Sequence, residues 1–577
     1  MKIHILVHSQ RILQNIGTVG LLLIMGICWL PTTGLHAEDS AVDGQSVSLY
    51  RVFERTVINE NPYKNKFTDV DLRVTYYAPS GKQFDFWGFY DGNGEGGGDA
   101  QTGNVWKLRF MPNEAGLWKY EYTWSDDTRG GAGTFACVKE GAGKGILQPY
   151  KDNPHWFAYN GTGPVWLKSY YETGHGALGQ DFDWIVDNVY SRLVEAGYNH
   201  LQVNWLLSLC CFEQYYQDGP EPETLDLALY REGDIFGTMN FDVWKRMERH
   251  LGWLNNRDVG VHMFLGVDGS KNGGPDWGEL SPEEKDWFAK YMVSRLAPYA
   301  NLAGWNFVWE TPGNREDREL GFVRLIEQYD IFNHLRTYED EMPRDNEYHR
   351  SEYTYAAVEN HKIAADDKDM ERHLWKEPWT HHMASLLGYE GKPVFMSEGN
   401  ALWRRYWQRR THATQDDLRQ SAWACATAGA SFTWCGHSGE ERLYAYGPEG
   451  LPLSEYNPYW KSERYISILA DVMKNEVEFY TMKPHDPLLG DHDALEIYAL
   501  AEPGRQYLVF STEGDPFSLE IERGTYSRVV WIDAKTGEKV VAGEISIEKR
   551  EKTISFTPPS RTTDWGLVLR TAISSDL

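Results

Sequence analysis

The sequence predicts an α/β fold, a (β/α)8 TIM barrel flanked by two β-sandwich domains, and three observations carry the prediction. Residues from about 155 to 440 repeat a strand pattern followed by a helical one, with eight candidate strands, the number such a barrel needs. Residues 47–140 and 478–572 instead alternate short apolar runs with turn residues, the period-2 pattern of antiparallel sandwiches. At 577 residues the chain is also too long for one core.

Residues 1–37 read as an export signal outside the fold. Lys2 and Arg11 precede the apolar run "IGTVGLLLIMGICWL", and "GLHA" before Glu38 offers a cleavage point. The run is short for a membrane span, and Ile27 stands where a lipid-anchored Cys28 would need a small residue. The expectation is a secreted or periplasmic protein with no membrane contact after cleavage, an uncleaved N-terminal anchor being the alternative. Cys137, Cys210, Cys211, Cys425 and Cys435 remain, an odd set that implies no disulfide framework.

In the first sandwich, "LYRVFERTV", "DLRVTYYAPSGKQFDFWGFYDGNGEGGG", "VWKLRFMPNEAGLWKYEYTW" and "GTFACV" supply the strands, with "PSGK", "MPNEAG" and "TRGGAG" as turns. The barrel region is placed at 155–470. Its strands are "VWLKS" from Val165, "LQVNWL" from Leu201, "VHMFLGV" from Val261, "AGWNFVW" from Ala303, "LRTYED" from Leu335, "YTYAAVE" from Tyr353, "PVFMSE" from Pro393 and "ASFTWC" from Ala430. Helical spacing links them. Phe182, Ile185, Val186, Val189 and Leu193 recur every three or four residues after Asp181, an N-cap candidate. Trp244, Met247, Leu251 and Leu254 make a second stripe, and Trp287, Phe288, Tyr291, Met292 and Leu296 a third. The last sandwich reads from "ALEIYALAEPG" through "YSRVVWIDAKTGEKV" to "DWGLVLR".

Composition narrows the partners. A net charge of -27 argues against nucleic acid or an anionic membrane, since both favour a basic surface. The 24 Trp and 34 Tyr exceed what cores need and suit a surface that stacks on sugar rings, so a carbohydrate is the expected partner. Oligomeric state is not legible.

In such a barrel the chemistry lies at the carboxyl ends of the strands, where the loops converge on one mouth. Those ends carry Tyr170 and Glu172, Asn204 and Trp205, Asp268, Trp309 and Glu310, Glu339 to Glu341, Glu359 to His361, Ser397 to Asn400, and Trp434 to His437. Glu310 ends the fourth strand in "GWNFVWETPGN" and Glu398 the seventh in "KPVFMSEGN". Glycoside cleavage needs one carboxylic acid to protonate the departing oxygen and one carboxylate to attack the anomeric carbon or activate water. Asp268, Glu339, Asp340 and Glu359 compete for the second role, each otherwise a hydroxyl ligand or an ion-pair partner.

The Glu310 and Glu398 pair resembles that of the retaining glycoside hydrolases of clan A. The resemblance implies that Glu310 is acid/base and Glu398 the nucleophile. Clan A enzymes usually place Asn just before the acid/base. Trp309 stands there instead, leaving Asn204 or Asn306 to hold a sugar hydroxyl. "NPYKNKFTDVDLRVTYYAPSGKQFDFWGFYDG" with "WKLRFMPNEAGLWKYEYTW" resembles the small β-sandwich domain of unknown function that precedes such barrels in bacterial polysaccharide-degrading enzymes. "WIDAKTGEK" with "ISFTPPSRTTDWGLVL" resembles the C-terminal, collagen-binding-like sandwich of the apiosidase-like hydrolases.

Around the mouth, Trp205, Trp309, Trp403 and Trp434 are candidates for stacking on sugar faces, with core packing as the competing role. His361 and His437 are candidate hydroxyl ligands. His381 and His382 lack partner spacing, so no metal or cofactor is assigned. "LWRRYWQRRTH" sets Arg404, Arg405, Arg409 and Arg410 among aromatics, and a guanidinium such as Arg405 can bind a sulfate or uronate bidentately. A solvated helix face is the competing reading. The expectation is therefore an exported glycoside hydrolase with a retaining two-glutamate mechanism, its substrate anionic (sulfated or uronic) if the arginines bind it; the alternatives are an inverting hydrolase, a catalytically silent carbohydrate-binding protein and, further off, a lyase.

Overall fold

The computed structural model describes residues 44–172, 178–179, 181–203, 205, 235–237, 239–264, 280–306, 316–337, 339–340, 350–359, 391–399, 415–434, 458–490 and 497–572. The segment read as an export signal lies outside them. Among the described residues no helix is long and apolar enough to cross a membrane, and Cys137 and Cys425 are buried free thiols.

The N-terminal domain sets a five-stranded sheet against a three-stranded one. The first runs in the order Ser46–Ser48, Gly131–Val138, Gly116–Trp124, Leu72–Tyr77, Gln83–Trp87; the second runs Phe53–Ile58, Val105–Phe110, Phe89–Tyr90. Alternation decides the faces: in Leu72–Tyr77 the residues Leu72, Val74 and Tyr76 are buried while Arg73 is exposed. Phe53 stacks on Phe135 at 3.9 Å across the core.

The barrel strands are β1 (Lys168–Glu172), β2 (His200–Val203), β3 (Gly260–Phe264), β4 (Leu302–Asn306), β5, β6 (Ala356–Glu359), β7 (Val394–Gly399) and β8 (Ala430–Trp434), all parallel. β1 pairs with β8, and β5 closes the circle in two pieces: Arg336–Thr337 pairs with β4 and Glu339–Asp340 with β6. The first strand starts later than "VWLKS" suggests. Gly163–Val165 belongs to a small antiparallel sheet with Leu147–Pro149 and Phe157–Tyr159, whose Leu147, Phe157 and Tyr159 pack on Leu167, Leu335, Tyr355 and Phe395 and so plug the amino-terminal end of the barrel.

Helices α1 to α6 cover this barrel and follow the sequence stripes. α1 is Phe182–Ile185, continued through a π-helical turn, Val186–Tyr190, into Ser191–Glu195; Asp181 caps it by accepting from the Trp184 N–H at 2.8 Å. α2, Phe241–Asn255, is capped by Asn240 and buries Trp244, Met247, Leu251 and Leu254. α3, Pro282–Leu296, opens on a capping box formed by Ser281 and Glu284. α4 (Glu316–Tyr329), α5 (Gln415–Thr427) and α6 (Pro458–Asp471) follow among the described residues.

The C-terminal domain is one antiparallel sheet of six strands, in which the long hairpin Phe517–Asp533 and Lys539–Phe556 shifts register at Glu522/Gly524 and Tyr526/Val529. It docks on α5, where Trp423 stacks on Phe510 at 5.1 Å and Arg419 binds Asp564 at 2.5 Å. A Cβ on Gly566 would lie 2.6 Å from the Trp423 ring, so this strand position needs glycine for the two domains to meet.

Gly429 leads into β8 at φ +85, and a Cβ there would sit 1.5 Å from the His155 imidazole, which lies against the Ala428 carbonyl at 3.2 Å. Gly429→Ala is expected to cost about 2–4 kcal/mol through backbone strain and overpacking together. Urea denaturation reads this loss, and pairing the substitution with His155→Ala should restore only the overpacking part.

Candidate active site

Contacts across the barrel fix which residues face its interior. Phe395 of β7 lies 4.8 Å from His200 of β2 and 5.2 Å from His262 of β3, ring centroid to ring centroid. The Tyr355 hydroxyl is 3.3 Å from His262 Nε2, and Ser169 Oγ is 2.8 Å from His200 Nδ1. Alternation carries the assignment upward: Gly304 and Asn306 pair with His262 and Phe264, and Thr433 pairs with Ser169.

The interior is therefore largely polar. Barrel interiors are usually filled by Val, Ile and Leu; here those residue types, with Met and Trp, point outward under the helices. The polar layer nearest the mouth includes Asn306, Ser397 and Thr433, all completely buried. Both amide atoms of Asn306, the hydroxyls of Ser397 and Thr433, and His262 Nδ1 find no hydrogen-bond partner among the described residues. Each such atom costs about 1–3 kcal/mol if nothing satisfies it.

β7 is irregular where it reaches the mouth. Met396 pairs with Val358 and Phe432, yet Glu398 pairs with Glu359 and Gly399 with Trp434, so two residues, Ser397 and Glu398, occupy the space of one. A bulge of this kind shifts the phase of a strand by one residue and is common beside active sites. It brings the backbone of Glu398 directly opposite that of Glu359 on β6. The bulge has no sequence signature in "PVFMSE", and Glu359 gains a place beside Glu398 that its sequence context did not assign.

Two of the proposed stacking aromatics are core residues. Trp434 pairs across the sheet with Tyr170, meets its ring at 5.7 Å and stacks on Tyr198 at 6.3 Å, fully buried. Trp205 is fully buried against His250 of α2 at 5.4 Å. The reason is parity: with His200 and Gln202 inward, Leu201, Val203 and Trp205 take the helix-facing side. Glu310, Asn204, Trp309, His361, Trp403, Arg405 and His437 lie outside the described residues.

Burial holds the interior histidines neutral. It pushes His262 down to about 3 and His200 well below the ordinary imidazole range, the neighbouring His262 adding to the effect. His250, between α1 and α2, is held at about 3 by burial, then by Arg249 and Arg246. In the unfolded chain these imidazoles titrate near 6.5. The unfolded state thus binds more protons below that pH, and stability is full above about 6.5 and lost as pH falls toward 3. At pH 5 the expected loss is roughly 2 kcal/mol for each fully buried histidine, before carboxylates contribute. Urea midpoints at pH 7, 6 and 5 measure the slope; a flat profile would contradict it.

Comparison with known proteins places the chain only in part. Residues 46–125 match a domain of unknown function, DUF5060. No curated protein matches the sequence. Among solved structures, one from Bacteroides vulgatus named as a candidate glycoside hydrolase aligns with a TM-score of 0.59 at 16% identity over 91% of this chain and 100% of its own. A glycoside hydrolase family 5 structure from the same species gives 0.55 at 16%, covering 75% of this chain and 95% of that one. A third, described as a glycoside hydrolase, gives 0.54 at 14%, covering 75% and 98%. At these identities the likeness is one of fold.

Proposed function

We propose that this chain is a glycoside hydrolase acting on a polysaccharide or oligosaccharide at the mouth of its barrel. The observation that carries the reading is the position of Glu398, which lies in the bulge at the carboxyl end of β7, the end where barrel enzymes keep their chemistry. Structural similarity to three glycoside hydrolase folds supports it.

In this mechanism Glu398 attacks the anomeric carbon while Glu310, four residues beyond β4 in the sequence, protonates the departing oxygen and then activates water for the second displacement. A retaining course needs the two carboxyl groups about 5 Å apart; roughly 6.5–9.5 Å makes the enzyme inverting. Arg405 and its neighbours in "LWRRYWQRRTH" would favour a sulfated or uronic chain. The "IGTVGLLLIMGICWL" segment would send the protein to the periplasm or medium, where such chains are met.

The deciding experiment is a screen of the mature protein on neutral and anionic polysaccharides, reading new reducing ends and ultraviolet absorbance together. New reducing ends without unsaturated product support a hydrolase, and the charge of the active substrate decides the role of the arginines. Unsaturated product makes the protein a lyase. Saccharide binding without turnover makes it a silent carbohydrate-binding protein.

A further inference from the structure

We propose that the inward polar side chains of Asn306, Ser397 and Thr433, with His262 one layer deeper, form a hydroxyl-binding floor beneath the mouth, taking either fixed water or the hydroxyl groups of a bound sugar. The four residues come from β4, β7, β8 and β3, so they line one interior from several sides. Each is at least nine-tenths buried and leaves a donor or acceptor without a partner among the described residues.

The chemistry of the set identifies the ligand class. Asn306 offers two N–H donors and a carbonyl acceptor, Ser397 and Thr433 offer hydroxyls that donate or accept, and neutral His262 adds a ring nitrogen. Groups that both donate and accept match O–H ligands, and a buried water needs two to four such partners. Thr433 and Ser397 stand side by side where the β7 bulge meets β8, so the floor reaches the position of Glu398 itself. The inference about sugar hydroxyls rests on the proposed glycosidase activity; the inference about bound oxygen does not.

A high-resolution crystal structure of the mature protein, alone and soaked with the saccharide it degrades, decides the matter. Ordered oxygen atoms hydrogen-bonded to Asn306, Ser397, Thr433 and His262 support the floor, and their absence in both crystals overturns it. The near-isosteric variants Asn306→Leu and Thr433→Val then separate the sources. Sugar contact predicts that kcat/KM falls by about tenfold for each hydrogen bond lost while Tm holds or rises. Fixed water predicts a lower Tm with kcat/KM within about threefold of the parent. Should the protein hydrolyse nothing, the proposed activity fails while the crystal and Tm still judge the floor.

Discussion

Glu398→Gln is expected to lower kcat/KM on the active polysaccharide by about 10^3-fold or more, with Tm unchanged. Glutamine keeps the volume and a carbonyl oxygen but cannot form the glycosyl ester, so the first displacement is lost outright. Glu310→Gln should behave differently. It removes proton donation, a contribution of about 10^2–10^4-fold, and an aryl glycoside whose leaving group departs without a proton should regain most of the first step. Reducing-end release from wild type and both variants, with anomer assignment of the first product, checks the pair. Activity surviving Glu398→Gln would move the nucleophile elsewhere, and Glu359, opposite it in the register, is the first candidate.

Glu248→Ala is expected to destabilise the protein by about 3–5 kcal/mol. Glu248 of α2 is buried between Arg109 of the N-terminal sandwich, at 3.1 Å, and Arg295 of α3, at 2.6 Å. Arg295 also binds Asp91 at 2.9 Å, and Arg109 reaches Glu54 at 2.5 Å and the Arg295 carbonyl at 2.6 Å. Burial alone would raise the Glu248 carboxyl, but Arg109 and then Arg295 outweigh it and hold it at about 2. Removing the carboxylate leaves three cations, Arg109, Arg295 and Lys107, sharing two carboxylates, Glu54 and Asp91. Urea denaturation measures the loss; a change under about 1 kcal/mol would mean that water or Asp91 replaces Glu248.

Much of the barrel was legible because its elements are local. The stripe Trp244, Met247, Leu251, Leu254 recurs at helical spacing whatever it packs against, and Asp181 caps its helix through the N–H three positions on. Eight strands could be counted, and the order of their ends followed. The start of β1 was misplaced because Gly163–Val165, apolar enough to be a barrel strand, finds antiparallel partners in Phe157–Tyr159 instead.

The sequence by itself determined three regions, the strand and helix periods, and a set of carboxylates and aromatics at strand ends. Which face of each barrel strand looks inward was decided only by the tertiary structure. Both faces of a parallel barrel are buried, so the alternation in "HLQVNW" shows that two faces differ without showing which lines the interior; closure of the sheet sent His200 and Gln202 in and Trp205 out. The bulge at Ser397 and the Arg109–Glu248–Arg295 junction likewise exist only through pairings between distant segments. Local periodicity cannot encode them, because their free energy appears only when those segments meet.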